Sequence, residues 1–157
     1  MSGHHYEVSL TWSGNRGSGT SGYKEYGRDH IVSAPGKQDI AGSADKSFFG
    51  DVDRWNPEEL LIAALSQCHM LSFLHVAADA GVIVVGYTDH ASGTLTLNSE
   101  GGGGMTEVRL APEVEIVGDI PESMDALHHR ANELCFIANS VNFPVTHQPS
   151  VRVVGSL

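Results

Sequence analysis

The chain has 157 residues, 41% of them hydrophobic, and a formal net charge of −10 from 19 acidic and nine basic side chains. That balance argues against a nucleic-acid surface or a polybasic membrane patch, since both need clustered Lys and Arg and the nine here are scattered. The length suits a single domain, 1–157, with one sizeable core. No apolar run is expected to reach the ~18 residues of a membrane span, and the start MSGHHYEVSL lacks a charged region followed by an apolar one, so no signal peptide is expected. A cytoplasmic setting follows, where two cysteines more often do chemistry than form a structural disulfide.

Residues 5–13, HYEVSLTWS, alternate and are rich in β-branched and aromatic side chains, which predicts a half-buried strand. GNRGSGTSG is turn chemistry. A weakly specified second strand is expected from Gly22 to about Ser33, and a short one near Asp39–Ala44. The first helix has the clearest start. Asn56 is an N-cap, Pro57 suits the first helical position, and Glu59 completes a capping box. Trp55 and Leu60 stand where a hydrophobic staple would. Gly81 should end the helix after Ala80, giving a rod ~36 Å long at 1.5 Å per residue. Leu61, Ala64, Leu65, Cys68, Leu71, Ser72, His75 and Val76 follow its period, and much of the opposite side is also apolar. Such a helix calls for a second helix, or a copy of itself, to pack against.

VIVVGYTDHASGTLTLN and TEVRLAPEVEIVG read as two strands joined by a loop at Gly101–Gly104. That loop is no phosphate cradle, because a strand and not a helix follows it. A second helix should open at Pro121–Glu122, carry Met124, Leu127, Ala131, Leu134, Cys135 and Ala138 on one stripe, and end before Phe143–Pro144. VTHQPSVRVVG supplies a last strand. The order β-β-(β)-α-β-β-α-β favours an α+β fold with antiparallel sheet packed around two helices.

Cys68 and Cys135 each fall on an apolar helix stripe, and a buried cysteine is often an inert small hydrophobe. Chemistry at Cys68 would need help, because it lies beyond the first-turn reach of the helix dipole and burial raises a thiol pKa. Arg28 and Arg54 are the candidate cations. Glu58 precedes Cys68 by ten residues, ~15 Å along the axis, so the two cannot touch within one straight helix; a glutamate there also favours the dipole on its own account. Cys68, Ser72, His75 and Asp79 form a polar line suited to satisfied core groups or to support for the cysteine. Zinc usually shows ligand pairs at short spacing. The adjacent His128–His129 and His4–His5 lack that spacing and are expected to face solvent.

Three stretches carry a resemblance to a known family. NPEELLIAALSQC at 56–68 resembles the helix of the osmotically inducible protein C and organic hydroperoxide resistance proteins, the OsmC/Ohr family, ending in a reactive cysteine. ANELCFIANS carries a second cysteine 67 residues later, and GRD at Gly27–Asp29 is similar to the family's arginine-bearing strand. Where the family commonly has Pro and then Ser after the second cysteine, Phe136, Ile137 and Ala138 follow, which marks a divergent branch. The resemblance implies an intertwined homodimer and a thiol peroxidase for organic hydroperoxides, with no cofactor and no metal. It implies Cys68 as the peroxidatic and Cys135 as the resolving cysteine, with Arg28 and Glu58 completing the site. Cys68 would pass through a sulfenic acid to a disulfide, reopened by an external dithiol, lipoyl-type or other. Leu65, Leu71 and Phe73 would favour alkyl hydroperoxides. The alternatives are a protein of the same fold that binds a ligand without turnover, and a Cys/His metal site.

Overall fold

The computed structural model describes residues 1–155, and the chain falls into two compact units that divide between Leu60 and Leu61. In the first, β1 (Ser9–Trp12), β2 (His30–Ser33) and β3 (Ile40–Gly42) form an antiparallel sheet in that order. Leu10, Val32 and Ile40 lie side by side across it. Tyr6, Val8, Leu10 and Trp12, spaced by two, are all exposed. The expected second strand is shorter than its pattern. Residues before His30 turn instead, with the Glu25 N–H on the Gly22 carbonyl at 3.0 Å. Gly14 and Gly27 then pass so closely that a Cβ on Gly14 would sit 1.9 Å from the Gly27 carbonyl oxygen. That oxygen also accepts the Trp12 indole N–H at 2.8 Å, which pins the chain just before Arg28.

The first helix, α1 (Pro57–Asp79), starts and stops as its sequence predicts. Asn56 Oδ1 accepts the Glu59 N–H at 2.8 Å and Glu59 Oε2 accepts the Asn56 N–H at 3.2 Å, a reciprocal capping box. Gly81, at φ 72°, closes the other end: its N–H reaches Ala78 and the Val82 N–H reaches the Ala77 carbonyl. By length and composition α1 would suffice to cross a membrane, against the expectation of no such run. Its buried stripe, Leu65, His69, Phe73 and Ala77, instead belongs to a packed core. That stripe is not the one anticipated: Leu71, His75 and Asp79 are exposed, and His75 pairs with Asp79 at 3.4 Å on the surface.

In the second unit the two long strands expected after α1 divide into four. They are β4 (Ile83–Asp89), β5 (Ser92–Leu97), β6 (Gly103–Leu110) and β7 (Pro112–Val117). Asp89 makes the corner. Its carboxylate accepts the Ala111 N–H at 2.7 Å and the Ser66 hydroxyl at 2.5 Å, so neither strand pair runs straight through. The last strand divides as well, at Gln148–Pro149, into β8 (Val145–His147) and β9 (Ser150–Gly155). Two mixed sheets result, β4-β7-β9 and β5-β6-β8, whose third strands pair parallel. Pro112, Val114 and Ile116 alternate inward from β7. Val114 and Ile116 meet Phe73 and Ala77 of α1 and Met124 and Ala131 of α2 (Met124–Leu134). A second cluster joins Leu65, Val108 and Leu110.

The helix α2 ends well before the expected stop at Phe143. Cys135 turns extended at ψ 107°, the Asn139 side chain donates to the Glu133 carbonyl at 3.0 Å, and the chain continues as a 3-10 turn at Ala138–Ser140. Competing local hydrogen bonds end the helix where apolar periodicity alone would continue it.

Candidate functional site

Two of the sequence-predicted residues meet at the end of α2. Cys135 caps that helix and is 1% exposed, and its Sγ accepts the Ala138 N–H at 3.4 Å. Burial pushes the Cys135 thiol up to about 11; a hydrogen bond with the Cys68 side chain adds to the rise, while backbone N–H groups of Ala138 and Ile137 oppose it. The buried sulfur is therefore a neutral thiol at ordinary pH. Cys68 stands against it, half-buried on α1. It opens on a largely apolar recess of about 400 Å³ lined by Leu71, Ser72, His75, Leu134 and Phe136. Both cysteines are free thiols. Leu65 and Phe73, expected beside Cys68, lie in the core clusters instead, because α1 turns them to the stripe that faces the sheets.

The other two predicted residues also meet. Arg28 and Glu58 line one recess of about 310 Å³ with His30, Ser43, Asp45 and Phe48. Arg54 does not line it; its Nε lies 3.7 Å from Asp29 and its Nη1 donates to the His30 carbonyl. Carbonyls and rings hold the arginine. Arg28 donates to the Tyr26 and Tyr23 carbonyls at 2.5 and 2.6 Å. Its guanidinium lies 4.0 Å from the Tyr26 ring centroid and 4.6 Å from that of Tyr23. Those aromatic faces attract the cation and hold it in place. Glu58 sits in the first turn of α1, where its charge also suits the helix dipole.

One group of functional interest escaped the sequence reading. His128, expected to face solvent beside His129, is wholly buried, and so is His69, the residue after Cys68; His129 is exposed as expected. His69 Nε2 and His128 Nδ1 share a hydrogen bond at 3.1 Å. Phe73 stacks on the His128 ring with centroids 4.0 Å apart, and His147 stacks on His69 at 5.4 Å. Burial pushes His69 down to about 4, helped by His147 and opposed by Asp89. Burial pushes His128 down to about 3, with His69 and His147 adding to the effect. His147 is lowered too, chiefly by burial. The outer nitrogens His69 Nδ1 and His128 Nε2 have no protein partner. The rings stack, and among the described residues no three His, Cys, Asp or Glu side chains converge as metal ligands. The available signal was periodicity: His69 stands four residues from Leu65 and from Phe73, and His128 four from Met124, so both continue apolar stripes.

Residues 50–150 match the OsmC-like protein family. An OsmC-like protein of unknown function from Vibrio cholerae is 34% identical, with a TM-score of 0.84, over 94% of this chain and 99% of that one. A putative organic hydroperoxide resistance protein from Vibrio cholerae, solved with captopril in one of its active sites, is 26% identical with a TM-score of 0.68, over 95% and 93%. An organic hydroperoxide resistance protein from Elizabethkingia anophelis shares the fold at 23% identity and a TM-score of 0.67, over 94% and 96%. No curated protein matches the chain.

Proposed function

Given that the chain belongs to the OsmC-like family, we propose that it is a thiol peroxidase reducing organic hydroperoxides through a Cys68–Cys135 couple. One observation carries the reading: a half-exposed cysteine facing an apolar recess stands near enough to a buried, neutral one to help raise its pKa. In the reaction so read, the Cys68 thiolate attacks the distal oxygen of the hydroperoxide. The O–O bond breaks, the alkoxide takes a proton and leaves as an alcohol, and Cys68 becomes a sulfenic acid. Cys135 then attacks that sulfur, water departs and a disulfide remains. An external dithiol reopens it by exchange, most simply by attack on the accessible Cys68 sulfur. The recess lined by Leu71, Leu134 and Phe136 favours an alkyl group over hydrogen peroxide.

Arg28 takes the part of the cation that binds the peroxide oxygens, with Glu58 as its companion. The support is that these two, and not Arg54, share a recess. The working form is a homodimer. Its support is exposed apolar surface: the Tyr6, Val8, Leu10 and Trp12 row of the first unit, and Leu71 of α1, 61% exposed. Sedimentation of the purified chain reads that state directly.

Mass spectrometry tests the chemistry. Reduced protein treated with one equivalent of cumene hydroperoxide is expected to lose two hydrogens as the disulfide closes. Cys68→Ser should abolish peroxide consumption, and Cys135→Ser should allow one oxidation and then stall or over-oxidise. Two thiols still free after treatment would sink the peroxidase reading and favour ligand binding without turnover.

A further inference from the structure

Cys68 and Cys135 belong to different helices, so a disulfide between them requires α1 and α2 to hold each other in register. Apolar packing supplies most of the grip, through Phe73 and Ala77 on one side and Met124, Leu127 and Ala131 on the other. Such packing is non-directional. A hydrogen bond is directional. Away from the two sulfurs, a side-chain hydrogen bond joins the two helices, His69 Nε2 to His128 Nδ1 at 3.1 Å.

Its position is informative. His69 directly follows Cys68, and His128 precedes Cys135 by seven residues, two helical turns, on the same stripe of α2. Wholly buried Ala131 lies between them on that stripe. Both rings are locked in place, since His128 lies within 11° of parallel to Phe73 and to His69, and His147 of β8 closes the stack. A neutral imidazole has one donor and one acceptor nitrogen, so two neutral rings suit each other. Their burial keeps them neutral at ordinary pH.

We propose that His69 and His128 are positioning residues for the redox couple, pinning α2 to α1 so that Cys135 is presented to Cys68. The inference rests on reading the two cysteines as a couple. The pin raises the effective concentration of one thiol at the other. By linkage, closing the disulfide strengthens the pin by the same factor. Without the pin the two helices of the reduced protein lose their mutual register, and the disulfide equilibrium constant is expected to fall about tenfold, equivalent to about 30 mV for this two-electron couple.

Diamide closes the disulfide without peroxide, and glutathione buffers then set the equilibrium, read by alkylation and mass spectrometry. His128→Leu fills the space without the hydrogen bond and should show the tenfold loss. His128→Asn puts an amide near the lost Nδ1 and should stay within threefold of the unsubstituted protein. A folded Leu variant with unchanged equilibrium overturns the proposal. So does an Asn variant with the full loss, which decides the matter if the Leu variant does not fold. A merely structural role would lower the melting temperature of both without separating their equilibria. A disulfide that diamide closes and cumene hydroperoxide does not would overturn the peroxidase reading and leave the pin standing. If diamide closes none, both fall.

Discussion

Acid should unfold this protein earlier than its carboxylates alone would dictate. His69 and His128 are depressed from 6.5 to about 4 and about 3 in the folded chain. The unfolded chain therefore takes up protons first, and stability falls as pH drops through the unfolded value toward the folded ones. Between pH 7 and 5, one histidine protonated only in the unfolded state costs roughly 1.9 kcal/mol, so two cost nearly 4. That is a large share of the ~5–15 kcal/mol that holds a typical domain. Urea unfolding at pH 7, 6 and 5, followed by fluorescence, measures it. The window stays above the range in which the lowered carboxyls of Asp45 and Glu133 titrate. Replacing both histidines, His69→Gln with His128→Asn, should remove most of the slope over that interval and leave the smaller part due to His147. A profile already flat in the unsubstituted protein would refute the claim that the buried pair is held neutral by the fold.

The remaining expectations are narrower. Arg28→Ala should slow iodoacetamide labelling of Cys68 at pH 6–7 by about tenfold, while Arg54→Ala should leave it within twofold; the reverse order would give the role to Arg54. Asn56→Ala removes the side-chain cap bond at 2.8 Å and should cost about 1 kcal/mol in urea unfolding; no loss would mean the first turn of α1 frays in solution. Asp89→Ala strips acceptors from the Ala111 N–H and the Ser66 hydroxyl and should cost about 2–3 kcal/mol, with faster hydrogen exchange at Ala111. Exchange unchanged at that amide would count against Asp89 as the corner of the two sheets.

The chain's own residues determined α1 from end to end. Asn56, Pro57, Glu59 and Gly81 act through bonds to neighbours three to five residues away, and such bonds are legible wherever the pattern occurs. The two cysteines were legible as a pair because helix periodicity and the resemblance pointed to the same residues. Tertiary structure decided what local pattern could not reach. It divided three long apolar runs into six strands at Asp89, Ala111 and Pro149, since a corner depends on which carboxylate arrives to take a freed N–H. It ended α2 at Cys135 through bonds made by residues beyond the helix. It also put Arg28, and not Arg54, beside Glu58. Finally, it buried His69 and His128, which sequence composition marks as polar. An imidazole can be buried at little cost only when a partner stands opposite, and that partner lay 59 residues away.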